Sequence, residues 1–233
     1  MTAESPVALM RAAGIELVAT AFLLIAVVGS GIMAERLSGG NMALSLLANA
    51  IATGCALMAL ILAFGPFSGA HMNPAVTLAA CLVDGFSWRI AFAYITAQIT
   101  GGVIGVWLTH LMFEMPVIEF GQRVRNGSGQ WLGEVVATFG LLAVIWGCCA
   151  HRAPHTALAV AAYITGAYWF TSSTSFANPA VTIARALTGS FAGIRPIDAP
   201  EFILAQMAGL ILVLPLLRSL SRTALRPNIS ASS

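Results

Sequence analysis

The pentapeptide Asn73-Pro74-Ala75-Val76-Thr77 recurs as Asn178-Pro179-Ala180-Val181-Thr182. In each copy a preferred N-cap residue precedes a proline at the first helical position, where a missing N–H costs nothing. Both copies predict helix starts. Two carboxylates, Glu16 and Glu134, lie in otherwise apolar runs, where an ionisable group is a candidate proton relay or, alternatively, a structural element. Cys55, Cys81, Cys148 and Cys149 lie in or beside apolar runs and read as reduced, buried small hydrophobes. The segment holding Cys148, Cys149, His151 and His155 has soft-metal side chains, but its apolar helix-end context favours burial over metal binding. The histidines His71, His110, His151 and His155 fall in unrelated segments. No nucleophile–base pair or metal constellation assembles from them, so a catalytic residue, a metal or a cofactor is not expected and the chain reads as a non-enzyme.

The elements that must position these residues are membrane elements. Of the 233 residues 58% are hydrophobic and 9% charged, against roughly 25% charged in a soluble domain. The mean hydropathy is +0.87. A net charge of +2, spread thinly, excludes a nucleic-acid partner; the lipid bilayer is the expected one. The first residues lack the layout of a removable signal peptide. Apolar runs at Gly14 to Met33, Met42 to Phe64, Ile90 to Met112, Trp131 to Ala150, Thr156 to about Thr174 and Phe202 to Leu217 predict six spans. The last is short, with Glu201 and Arg218 placed to snorkel to the interfaces.

Two further apolar stretches, Asn73 to Val83 and Asn178 to Leu187, are about half the ~20 residues a crossing needs. Both open on the repeated motif, and each meets a glycine, Gly85 or Gly189, as a stop. Each follows the second span of its half, and an odd number of crossings per half inverts one half against the other. The expected fold class is an all-α membrane protein with six transmembrane helices and two re-entrant half-helices in an inverted repeat. It forms a single domain over 1–233, with halves 12–113 and 130–220 joined by a loop at 114–129. The half-helices then enter from opposite faces and meet at their N-termini, where exposed N–H groups require a wet cavity. Arg11, Arg89, Arg152, Arg218, Arg222 and Arg226 fall on one side and Arg36, Arg123, Arg125 and Arg195 on the other, which predicts cytoplasmic termini.

With these residues the chain resembles the major intrinsic protein family, the aquaporins and aquaglyceroporins, over its whole length. The carriers are Ser68-Gly69-Ala70-His71-Met72-Asn73-Pro74-Ala75-Val76-Thr77, the second Asn178-Pro179-Ala180, and Glu16 and Glu134 near the start of each half. The resemblance implies the aquaporin fold, a homotetramer in the inner membrane with one pore per subunit, and a passive channel for small neutral solutes. It implies that Asn73 and Asn178 donate to the permeating molecule, that Glu16 and Glu134 brace the two loops, and that Gly69, Ala70, His71, Thr174 and Phe176 belong to the pore loops.

The family's outer filter maps by counting to Thr53, Gly166, Ser175 and Val181. Most members carry an arginine where this chain has Val181, and glycerol facilitators follow it with an aspartate where this chain has Thr182. A filter without the guanidinium's bulk and donors is expected to be wide and uncharged. It resembles that of the bacterial aquaglyceroporins of arsenic-resistance operons, implying arsenite and methylated arsenicals beside polyols and water. The alternatives are an ordinary water or glycerol channel and, further off, a proton-coupled carrier. Arg185, on the same helix face as Val181 one turn on, is expected to supply a charge at the outer mouth.

Overall fold

The computed structural model describes residues 5–150 and 155–224. Its elements are α1 (Pro6–Leu37), α2 (Met42–Ser68), α3 (Pro74–Asp84), α4 (Trp88–Met112), α5 (Ser128–Ala150), α6 (Thr156–Phe170), α7 (Pro179–Arg185), a 3₁₀ turn (Pro196–Asp198) and α8 (Ala199–Ala224). Among the described residues there is no strand. Four helices and the segment Pro196–Ser221 are long and apolar enough to cross a membrane; α6, with 15 residues, is shorter. His151, Arg152 and Arg226 lie outside the described residues.

The two halves repeat one plan. In the first, α1 packs against α2 and α4; in the second, α5 packs against α6 and α8. Each half-helix lies across both halves, α3 against α4 and α8, and α7 against the same pair. The packing pattern is that of the expected repeat, with each half-helix placed between the halves. Close approach of α1 and α4 depends on Gly101 and Gly105, where an added Cβ would overlap the backbone at Leu17 and Ala21. Gly209 does the same for α8 against the Val135 carbonyl of α5. Large apolar side chains such as Phe22, Phe92 and Leu204 remain exposed on the outside of the bundle, as a lipid-facing surface requires.

Helices α1 and α2 run past the expected spans Gly14 to Met33 and Met42 to Phe64, and the boundaries of α6, α7 and α8 differ as well. Helix α6 ends at Phe170 rather than near Thr174, because Thr171 turns extended and feeds the second loop. Helix α7 has 7 residues and stops before the expected Thr188–Gly189 signal. Its last carbonyls find loop partners instead: Ile194 N–H donates to Arg185 O at 3.2 Å and Gly121 N–H to Ala186 O at 2.9 Å. With those groups satisfied, no left-handed glycine cap is needed. Helix α3, by contrast, does end on Gly85 at φ 71°. Helix α8 runs 26 residues, past both ends of the expected Phe202 to Leu217 span.

Candidate functional site

Both asparagines cap their own half-helices. The Asn73 side-chain oxygen accepts from Ala75 N–H at 2.8 Å, and that of Asn178 accepts from Ala180 and Val181 N–H at 3.0 and 3.2 Å. Their amide nitrogens cross between the halves: Asn73 Nδ2 donates to Ala177 O at 2.8 Å and Asn178 Nδ2 to Met72 O at 2.7 Å. Pro74 and Pro179 occupy the first helical positions, with Ala75 and Ala180 buried behind them. The two half-helix N-termini therefore face one another, and two positive helix ends converge on one place.

The loops leading into these caps are held in an unfavourable backbone shape. Gly69, Ala70 and Met72 have φ of 88°, 47° and 48°, and Thr174, Ser175 and Ala177 have 62°, 48° and 46°. Five of the six carry a Cβ, which makes that region costly. The carboxylates hold it. Glu16 accepts from Ser68 Oγ (2.7 Å), His71 N–H (2.9 Å), Met72 N–H (2.7 Å) and Gln98 Nε2 (2.8 Å). Glu134 accepts from Phe176 N–H (2.8 Å), Ala177 N–H (2.8 Å) and Gln206 Nε2 (2.6 Å). Each glutamine also donates to the threonine of its half-helix, Thr77 or Thr182. Both carboxylates are fully buried. Sequence reading missed Gln98 and Gln206, which lie outside the repeated pentapeptide and are joined to it only by packing.

A cavity of about 640 Å³ passes this junction. Along α2 it is lined by Thr53, Leu57 and Ile61, along α6 by Val160, Ile164 and Tyr168, and from the loops by Gly69, Ala70, His71, Asn73, Ser175, Phe176 and Asn178. Val76 and Val181, equivalent residues of the two half-helices, line it on either side of the asparagines. One end reaches Asp84, whose Oδ1 accepts from Ser221 Oγ at 3.1 Å near the end of α8. The other end reaches Arg185, which also borders a second cavity of about 390 Å³ lined by Met42, Leu46, Arg123, Arg125 and Thr174.

Three of the four residues expected at the filter face the cavity. Thr53, Ser175 and Val181 line the cavity, but Gly166 does not; the face where its side chain would be meets Phe170. At ~100° per residue, a lining stripe through Ile164 and Tyr168 turns Gly166 to the far side of α6. Tyr168 stands in its place, with its hydroxyl 3.4 Å from Thr53 Oγ1, and takes up space that Gly166 was expected to leave. Ser175 Oγ has no hydrogen-bond partner among the described residues. Arg185 is not in an open vestibule as expected; it is buried, its Nε bonded to the Ala192 carbonyl.

Residues 4–155 match the major intrinsic protein family. Over 94% of this chain and 93% of the relative, the sequence is 47% identical to aquaglyceroporin AqpS of Rhizobium meliloti (strain 1021). It is 35% identical to aquaporin NIP1-4 of Oryza sativa subsp. japonica, over 75% of this chain and 65% of that one. The solved structure of the aquaglyceroporin from Plasmodium falciparum shares the fold at a TM-score of 0.67, covering 91% of this chain and 94% of that one at 19% identity. The chain belongs to the major intrinsic protein family, and it is a membrane channel of that family.

Proposed function

We propose that the chain is a passive channel for small neutral solutes: water, glycerol-like polyols, arsenite and methylated arsenicals. The observation that carries this reading is the cavity running past Asn73 and Asn178, lined mainly by apolar side chains with a few hydroxyls. Such a wall strips little hydration from an uncharged solute at low cost, whereas an ion loses solvation that nothing replaces. Two converging helix N-termini add a barrier to cations. In this reading Asn73 and Asn178 donate to the solute, Glu16 and Glu134 brace the loops, and Thr53, Tyr168, Ser175 and Val181 set the width. Val181 in place of a filter arginine favours solutes with an apolar group, which extends the range from polyols to methylated arsenicals. The chain would act as a homotetramer of single-pore subunits in the inner membrane, with both termini cytoplasmic and the Arg185 end outside. The name of the aquaglyceroporin AqpS relative supports the polyol part of the reading.

The test is stopped-flow permeation into proteoliposomes with water, glycerol and arsenous acid, with and without a proton gradient. Flux linear in solute concentration and indifferent to the gradient is expected. Saturation together with gradient dependence would instead identify a carrier, and glycerol and arsenous acid rates equal to protein-free vesicles would remove the solute assignment.

A further inference from the structure

Position 181 lacks a guanidinium, yet Arg185 lines the end of the first cavity and shares the adjoining second cavity with Arg125. Arg185 closes α7 and borders both cavities while only 2% exposed. Its guanidinium carbon lies 3.4 Å from the centre of the Phe176 ring. Arg125 arrives from the loop that joins the halves and is 6% exposed. Its Nε donates to Gly193 O at 2.9 Å, and its Nη1 to Ser173 O at 3.0 Å and Thr174 Oγ1 at 3.2 Å. Its guanidinium carbon lies 4.9 Å from the same Phe176 ring. The backbone of Arg125 is pinned by its own N–H donating to Asp198 Oδ2 at 2.9 Å.

Neither side chain has a counter-ion at contact distance; among the described residues the ion pair formed is Arg195 with Asp198. Burial first, then the nearby Arg185 and Arg123, pushes the Arg125 guanidinium well below the usual arginine range. Keeping two like charges together out of water is a poor way to hold a loop, because a neutral amide can donate to the same carbonyls. Both arginines also retain unused donors. Nη2 of Arg125 and both Nη atoms of Arg185 donate to no group of the described residues. Ser175 Oγ, on a residue 3% exposed that lines the first cavity with Arg185, also has no partner among the described residues.

We propose that Arg125, Arg185 and Ser175 form a relocated outer filter, a two-cation collar that binds the oxygen atoms of a passing hydroxylated solute and also takes an inorganic oxyanion as a non-permeating ligand. The proposal rests on the channel reading above. Planar guanidinium donors fit paired oxygens on one centre, while the Phe176 ring backs them with an apolar wall. The positive field also repels cations before they reach the asparagines. The charge that a filter arginine would supply from position 181 thus comes from one turn farther along α7 and from the connecting loop.

The test measures glycerol flux into proteoliposomes of the full chain, with sodium sulfate on both faces against sodium chloride at equal ionic strength. Parent, Arg125→Gln, Arg125→Lys and Arg185→Gln are compared, with water flux reporting an intact pore. Sulfate is expected to lower parent glycerol flux, and each glutamine variant to raise the half-blocking concentration about ten-fold, as expected for losing a charge-assisted contact. Arg125→Lys should fall between, and sodium conductance should rise in the glutamine variants. Parent flux unaffected by sulfate overturns the collar, as does equal block in parent and glutamine variants that still pass water. Should the glutamine variants fail to insert, the parent's sulfate response and the lysine variant decide: a lysine variant blocked as well as the parent overturns the planar-donor site. A parent that passes neither water nor glycerol would remove the channel reading instead, a result distinct from any of these.

Discussion

The two re-entrant loops are near-copies in backbone and unlike in surroundings. Ala70 and Ser175, and likewise Met72 and Ala177, sit at matching offsets before their asparagines with nearly equal positive φ. Glu16 with Gln98 and Thr77, and Glu134 with Gln206 and Thr182, form the same buried chain of hydrogen bonds. Beyond the half-helices the likeness ends. Helix α3 leads to Asp84, Trp146 and Ser221, where Asp84 accepts from both neighbours. Helix α7 leads to Arg185, Arg125 and the Phe176 ring. The common part must hold a strained loop and a helix N-terminus in apolar surroundings, a problem with the same solution from either face. The distal parts meet different ends of the pore, and there the opposite charges separate.

The largest expected effect tests the common part. Glu16→Ala leaves four donors without an acceptor and Glu134→Ala three, at about 1–3 kcal/mol for each buried group. Both should fail to give a folded channel in detergent, with the first the worse, as read by thermal unfolding and recovery of monodisperse protein. Glutamine at either position keeps one acceptor oxygen and should be milder. Equal, small effects of both alanine variants would show that the loops hold themselves.

Next comes the helix contact behind each loop. Gly101→Ala overlaps the α1 backbone and Gly209→Ala overlaps that of α5, so both should lose about 1–3 kcal/mol by overpacking. Because Gly101 is backed up by Gly105 one turn on, the first half should be the more sensitive. A reversed order in melting temperature would break the proposed equivalence of the two helix pairs.

Smaller and specific to permeation is the pair Val181→Arg and Val76→Arg. Val181→Arg puts a third cation near Arg185 and Arg125 and narrows that end, so glycerol and arsenous acid flux should fall more than water flux. Val76→Arg puts its charge toward Asp84, where the carboxylate can receive it, and should cost less flux of the bulky solutes. Identical selectivity changes in the two variants would mean that the two ends of the cavity act alike.

The smallest effect concerns strain. Ala70→Gly and Ala177→Gly remove the Cβ penalty at positive φ and should each raise stability by up to about 1 kcal/mol, offset in part by the greater freedom of glycine in the unfolded chain. Matching shifts in unfolding midpoint would show that both loops carry the same strain.

The sequence by itself determined the features that depend on short-range order. Apolar run lengths marked the spans, and Asn-Pro-Ala marked two helix starts because capping and the proline ring act within a few residues. Two half-length runs in an inverted repeat then left few ways to bury the motif. The tertiary structure alone decided which face of α6 meets the cavity. Counting back from Asn178 pointed to Gly166, but helix rotation is fixed by packing against α2 and turned Tyr168 inward. It also decided where α7 ends, because its carbonyls are satisfied by loop N–H groups distant in sequence rather than by a local glycine. Arg125 had no local signal at all. A loop arginine reads as a solvated charge until the folded chain buries it beside Arg185 and over Phe176, and that placement depends on carbonyls of residues 173 and 193 that only the completed bundle brings to it.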